Sequence, residues 1–397
     1  MFRFPTLSTQ QIDYLNMGLM IISLILAYIL PFEVFLFSYA VLGPLHYLTE
    51  ISWLHQKKYY VSVQKEQNKW IFPVVVVLLS IILTIDNIFS LFNIPIELPT
   101  ALRGTNIILF LFGLAFILIM LRRNLHRIVA ISALTVLCLV LNIEKQCITC
   151  TDEVSGKTIE YCDLDNKKGS SNFIQRRCKD VDNNGYLEPG TDFEQGYSYY
   201  PAVILLSAYI PTLIHVYIFT MLFMLFGALK SRSRSGKAAV VLLIVCGALP
   251  FLFDASFIPY SISKFAEERY TVSFLDLNQL VFENFGLGST DAGNVYTSRA
   301  GIMLGRFIAF AYTYHYLNWF SKTSIIQWHK MPVLNLSVVL ILWAASVGLY
   351  LYDYKTGLTA LLLLSFLHVF MEFPLNFQSL RGILEYVNPF GKKAVPA

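Results

Sequence analysis

Long uninterrupted apolar runs, separated by short charged clusters, organise almost the whole chain. A helix needs about 20 apolar residues to cross a bilayer. Runs on that scale predict ten spans, over residues 14–31, 33–55, 71–92, 104–121, 127–144, 200–229, 237–254, 299–321, 332–352 and 357–376. Only helices and closed barrels satisfy every backbone group in lipid, and the strict alternation of barrel strands is missing. The expected fold is therefore all-α: a polytopic membrane helical bundle of about ten transmembrane helices with one disulfide-bearing extracytoplasmic loop. The stretch from Asp13 to His55 exceeds one span and is interrupted at Pro31-Phe32-Glu33, which reads as a tight hairpin. No basic segment followed by a short apolar core and a small-residue cleavage site opens the chain, so the first helix is expected to be retained.

Composition sharpens this picture. Of 397 residues, 56% are apolar, 15% aromatic and only 14% charged, with a mean hydropathy of +0.57. Soluble domains carry about 25% charged residues, so a soluble globule is excluded. The net charge of +4 does not mark a nucleic-acid partner, because the basic residues are spread over short loops. Their distribution instead orients the bundle. Lys57, Lys58, Lys65 and Lys69, then Arg122, Arg123 and Arg127, then Lys230, Arg232, Arg234 and Lys237, then Lys322 and Lys330, and finally Arg381, Lys392 and Lys393 fall on one face, while the short loops of the other hold Arg103 and Lys355. Both termini are thus expected in the cytoplasm, with the protein in a bacterial inner membrane. The chain divides into helices 1–5 over residues 1–144, an extracytoplasmic insert over 145–199, helices 6–10 over 200–376, and a cytoplasmic tail over 377–397. An apolar and acidic segment at 255–298 is expected to lie on the outer surface or cap the bundle.

The insert carries four of the six cysteines: Cys147, Cys150, Cys162 and Cys178. In an oxidising compartment such spacing predicts two disulfides, with connectivity open. Cys138 and Cys246 fall inside spans and read as packing residues. Asp180-Val181-Asp182-Asn183-Asn184-Gly185-Tyr186-Leu187-Glu188 places side-chain oxygens at positions 1, 3, 5 and 9 with glycine at 6. This segment resembles the calcium loops of EF-hand, dockerin and thrombospondin type 3 modules. The resemblance covers about a dozen residues and departs at the twelfth position, which is Thr191 in place of a bidentate glutamate. It implies a structural calcium ion held by Asp180, Asp182, Asn184, the Tyr186 carbonyl and Glu188.

Ionisable side chains at bilayer depth are candidates for function, since burying them costs a few kcal/mol. Counting about 1.5 Å per residue from the basic ends, His46 and His368 lie about 13 Å deep, His315 about 10 Å and His215 about 20 Å, with Glu50 and Glu372 one turn shallower than their histidines. In His46-x-x-x-Glu50 and His368-x-x-x-Glu372 both side chains share one helical face. Gly43-Pro44 and Pro211 predict irregular backbone beside His46 and His215. His46, His315 and His368 are expected to converge as metal ligands, with His215, Glu50 and Glu372 as further ligands, acid/base groups or orienting partners. Imidazoles and carboxylates without thiolates suit non-haem iron, copper or zinc. The closely spaced histidine boxes of membrane desaturases are absent. Scattered single histidines on separate spans resemble, in style alone, bacterial membrane carotenoid-cleaving oxygenases. Asp86 and Arg306 are expected to form a buried pair.

Three functions remain open on these residues. One is a metal-dependent enzyme acting on a lipid or apolar substrate, another a proton-coupled transporter, and the third a non-catalytic subunit or assembly factor of a larger membrane complex. The expected partners are membrane lipid and other subunits of such a complex.

Overall fold

The computed structural model describes residues 8–57, 71–92, 94, 105–121, 123–141, 145–154, 156, 158–163, 174–181, 186, 187, 191, 193–198, 208–253, 258–322 and 332–387. Helix α1 (Thr9–Ile29) starts at Ser8, whose hydroxyl accepts from the Gln11 N–H while Gln11 reaches back to the Ser8 backbone. One residue, Leu30, separates it from α2 (Pro31–Phe37), where proline at the first helical position costs no hydrogen bond. The chain then winds as a π-helical turn (Ser38–Leu42) before α3 (Gly43–Lys57). Gly43 N–H bonds the Ser38 carbonyl, five residues back. Pro44 follows, and having no N–H it cannot carry regular α-helical bonding through this point.

Helices α4 (Ile71–Leu91), α5 (Thr105–Met120) and α6 (Asn124–Leu141) lead to a small antiparallel sheet of β1 (Lys145–Thr151), β2 (Thr158–Asp163) and β3 (Phe193–Ser198), in the order β2-β1-β3. A π-helix at Ile210–Phe219 begins at Pro211 and continues into α7 (Thr220–Lys230). Next come α8 (Arg234–Leu252) and three short cap helices, α9 (Lys264–Thr271), α10 (Leu275–Phe285) and α11 (Ala292–Thr297). The chain closes with α12 (Arg299–Ser321), α13 (Val333–Tyr352) and α14 (Tyr354–Val387).

Among the described residues, seven helical segments are long and apolar enough to cross a membrane: Thr9–Ile29, Pro31–Gln56, Phe72–Phe89, Ile210–Lys230, Arg234–Leu252, Val333–Tyr352 and Tyr354–Val387. Three expected spans are helical without meeting that standard. In α5 and α6 the apolar stretches, Ile108–Leu118 and Asn124–Cys138, are shorter. The third, α12, is 23 residues long but carries Arg306, His315 and Asn318, and most of its middle is buried by other helices. A helix wrapped in protein can be polar where a lipid-facing one cannot. The last helix also runs past its expected end at 376 to Val387, with Pro374 inside it.

Residues 258–298 cap one end of the bundle. Phe32 and Phe35 of α2 insert into it, meeting Tyr270 edge-on at ring-centroid distances of 4.8 and 5.6 Å. Glu33 accepts from the Tyr260 hydroxyl at 2.8 Å and from the Ser263 N–H at 3.0 Å, fixing the cap to the start of α2. Asp291 caps α11, and the Ser289 hydroxyl followed by the Asn294 N–H holds its carboxyl below the usual range.

One apolar cluster gathers α1, α2, the cap and α12 around Met20, Phe282 and Phe310. A second gathers α3, α4, α5 and α14 around Leu54, Val76 and Phe370. The elements bearing the buried histidines contribute to both clusters, with Tyr47, Val216 and Tyr316 in the first and Trp53, Ile210 and Val369 in the second.

In the insert, Cys150 and Cys178 are disulfide-bonded, with Cα atoms 5.4 Å apart. Cys147 and Cys162 are register partners across β1 and β2. Arg177 donates to Asp152 at 2.8 Å, which raises the guanidinium pKa further. Of the calcium-loop positions, Asp182, Asn184 and Glu188 lie outside the described residues. The Asp86 side chain is likewise outside them, so its expected pair with Arg306 is not described. Arg306 itself donates to the Ile258 carbonyl at 3.4 Å and lies over the Tyr28 ring at 4.8 Å.

Candidate metal centre

Four helical segments each deliver one imidazole to a common layer: α3 supplies His46, the π-helix His215, α12 His315 and α14 His368. All four are at most 6% exposed. Their rings form a closed circuit, with centroids 4.7 Å apart from His46 to His315, 5.1 Å from His315 to His215, 5.1 Å from His215 to His368 and 5.3 Å from His368 to His46. One nitrogen each of His46, His315 and His368 lies within 4.8 Å of the others. Counting residues from the helix ends placed His215 deeper than its neighbours, yet it joins their layer. Helix ends do not share one level, and π-helical winding alters the advance per residue.

The carboxylates stand at opposite corners of the circuit. Glu50 Oε2 is 3.0 Å from His46 Nε2, which is itself 3.1 Å from His315 Nε2. Glu372 Oε2 is 3.2 Å from Nδ1 of His215, although its i−4 neighbour is His368. Separations near 3 Å suit adjacent ligands of one cation with bonds of about 2.1 Å. They are equally the lengths of hydrogen bonds, so geometry alone does not choose between the two.

The remaining nitrogens bear on that choice. Among the described residues, His46 Nδ1 and both nitrogens of His215 have no hydrogen-bond partner, and the nitrogens of His368 make no well-formed bond, with the Leu364 and Ser365 carbonyls one turn back as weak acceptors. Leaving buried polar atoms unpaired costs about 1–3 kcal/mol each, and a cluster of them calls for an ion or water. The donor set of imidazoles and carboxylates fits a transition-metal ion.

Sequence reasoning missed the groups that orient this ring. The Thr220 hydroxyl lies 2.8 Å from His315 Nδ1, which leaves Nε2 turned toward His46. Tyr47 stacks on His368 with centroids 4.3 Å apart and 23° between planes, and its hydroxyl lies 2.9 Å from that of Tyr316. A Cβ on Gly43 would come within 3.0 Å of the Tyr47 oxygen, so glycine leaves room for this pair. Trp319 packs against His46 at 5.4 Å and donates to the Thr49 hydroxyl at 2.9 Å. Thr220 sits at the junction of the π-helix and α7, a break that only the run after Pro211 hinted at.

A cavity of about 350 Å³ reaches the ring from the cap side. His215, His315 and His368 form its inner end, and Tyr39, Tyr47 and Tyr312 line its wall. Beyond the ring from the cavity lining stand Glu50 and Glu372, one turn past His46 and His368, with Lys322 at the end of α12.

Fold and site together define a helical, membrane-type protein with a buried histidine cluster that could hold a metal ion. No protein-family model, curated protein or solved structure matches the chain significantly.

Proposed function

We propose that the protein is a membrane-embedded metal-dependent enzyme acting on a lipid or other apolar substrate. Its ion would be held by His46, His215, His315 and His368, with Glu50 and Glu372 as further ligands or as groups that orient the imidazoles. The observation that carries this reading is the closed circuit of four buried imidazoles with an apolar-walled cavity ending on it. A bound iron, copper or zinc ion would supply Lewis acidity or redox chemistry at the cavity's end. The chain's own part is to exclude water and to fix the imidazoles through Thr220 and Tyr47.

Metal analysis of the protein purified in lipid nanodiscs tests this directly. The expected result is about one ion per chain, lost in His46→Ala. Metal content near zero, or unchanged by that substitution, removes the enzyme reading. Glu50, Glu372 and Lys322 behind the ring favour the proton-coupled transporter as the second reading, and it predicts pH-dependent proton uptake into liposomes without bound metal.

Ten spans with both termini in the cytoplasm complete this reading. Externally added thiol reagent should label a cysteine placed near Gly156 or Gly288 and spare one near Lys65 or Ser233. A structural calcium ion at Asp180, Asp182, Asn184, Tyr186 and Glu188 should raise the melting temperature of the wild type and leave Asp180→Ala/Asp182→Ala unaffected.

A further inference from the structure

The geometry points to an amphiphile as the occupant of the cavity, with its apolar chain reaching the imidazole ring and a hydrogen-bond-donating head, an alcohol or amine, at Asp276. This inference rests on the enzyme reading and names the substrate class of that site. The cavity has two unlike ends. At the inner end the imidazoles are buried, whereas Asp276, in the first turn of α10, is exposed at the cap. Along α14 the lining runs from Leu362 to Val369, a rise of about 10 Å along the helix. Between the ends the wall is apolar and phenolic apart from Thr212 and Ser365; Tyr47 and Tyr316 spend their hydroxyls on each other, and Thr212 donates to the Ala208 carbonyl. A chain without polar groups fits there, because it leaves no wall donor or acceptor newly unpaired.

Charge selects the head. Asp276 is the one carboxylate among the described lining residues, and none of them is lysine or arginine. A carboxylate or phosphate head would meet a like charge with no cation to offset it, whereas an ammonium or hydroxyl donates to Asp276. The cap that carries Asp276 is tied to α2 through Glu33, Tyr260 and Ser263, so the mouth is fixed relative to α2.

Dodecylamine, dodecanol and dodecanoate bearing a diazirine at the chain end test this on the full-length protein in zwitterionic nanodiscs. Labelled peptides are mapped by mass spectrometry, and bound metal is counted in the same samples. The amine and alcohol should label segments 208–216 and 362–369 about tenfold more than the carboxylate, a difference of one charge-assisted contact. Asp276→Asn should reduce amine labelling to the level of the alcohol, and Asp276→Lys should bring the carboxylate into the cavity. Equal labelling by dodecanoate, labelling indifferent to residue 276, or labelling spread over the exposed face of Val333–Tyr352 overturns the proposal. Site-selective labelling of a protein that binds no metal would instead overturn the enzyme reading and leave the amphiphile site standing.

Discussion

The motif His-x-x-x-Glu occurs twice among the buried groups, and its two copies are used differently. On α3 the pair closes on itself, with Glu50 3.0 Å from His46. On α14 the glutamate turns away from its own histidine, and Glu372 lies 3.2 Å from His215 of the π-helix. His368 is left to a stacked tyrosine ring and two weak backbone acceptors. Environment separates the copies too, since the Glu50 side chain is 2% exposed and that of Glu372 13%. Spacing makes a one-helix pair possible, but the neighbouring helix decides whether it forms. The α14 copy therefore spans three residues on two elements, and a metal centre assembled from it depends on helix packing as well as helix sequence.

The corner joining the two copies is His315, which lies beside His46 on one side and His215 on the other. Its removal has the largest expected effect. His315→Ala should abolish metal binding, and His315→Asn, which keeps a polar group in the space, should do the same while retaining more of the thermal stability. Metal content and melting temperature measured together check this. Full metal content in the asparagine variant would mean that the two copies bind independently, and the circuit would have no functional standing.

Much of this was legible in the sequence. Apolar runs predicted helices close to where they occur, and Arg299–Ser321 matches its expected range at both ends. Pro31, Pro44 and Pro211 marked the breaks because proline removes a donor wherever it falls. Burial depth suggested that His46, His315 and His368 share a layer, since depth follows from rise per residue alone. Which helices are neighbours was not legible, because lateral packing depends on the fit of side chains between helices. For the same reason the switch of Glu372 to His215, the Thr220 contact and the Tyr47 stack could not be read from any one helix. The polarity of α12 likewise makes sense only once its surroundings are known.

Replacing each carboxylate by its amide sharpens the asymmetry. Glu50, set against the His46 nitrogen that itself lies 3.1 Å from His315 Nε2, should matter more than Glu372, which lies against a His215 nitrogen. Groups that orient or supplement metal ligands contribute about 10–100-fold in affinity. We expect Glu50→Gln near the upper end and Glu372→Gln near the lower, measured by competition with a chelator of known affinity. Equal losses would show that bound metal restores equivalence between the two copies.

Thr220 tests whether His315 must be held in one tautomer. Thr220→Val keeps the shape and removes the hydroxyl, and it should weaken metal binding about tenfold. Thr220→Ser restores the oxygen and should recover most of the loss. A vanished effect in both variants would assign the contact to packing. Because the ligand field of a bound cobalt ion reports imidazole orientation, its visible spectrum should change in the valine variant and not in the serine one.

The smallest effect on the centre is expected from the insert. Cys150 and Cys178 close a loop of sequence separation 28 in the insert, and the described apolar contacts of that cluster are local: Ile148, Ile174 and Leu187. Breaking such a loop removes about 3 kcal/mol of stability from the segment it constrains. Cys150→Ser should therefore open the insert to proteolysis while leaving metal content, the Glu50 and Glu372 effects and the Thr220 effect unchanged. The imidazoles come from α3, the π-helix, α12 and α14, and none of those elements is stapled by this bond. If metal affinity falls together with the disulfide, then the insert, which is joined to the π-helix through residues 199–209, helps to set the position of His215. The α14 copy of the motif, whose glutamate lies against His215, should then lose more than the α3 copy.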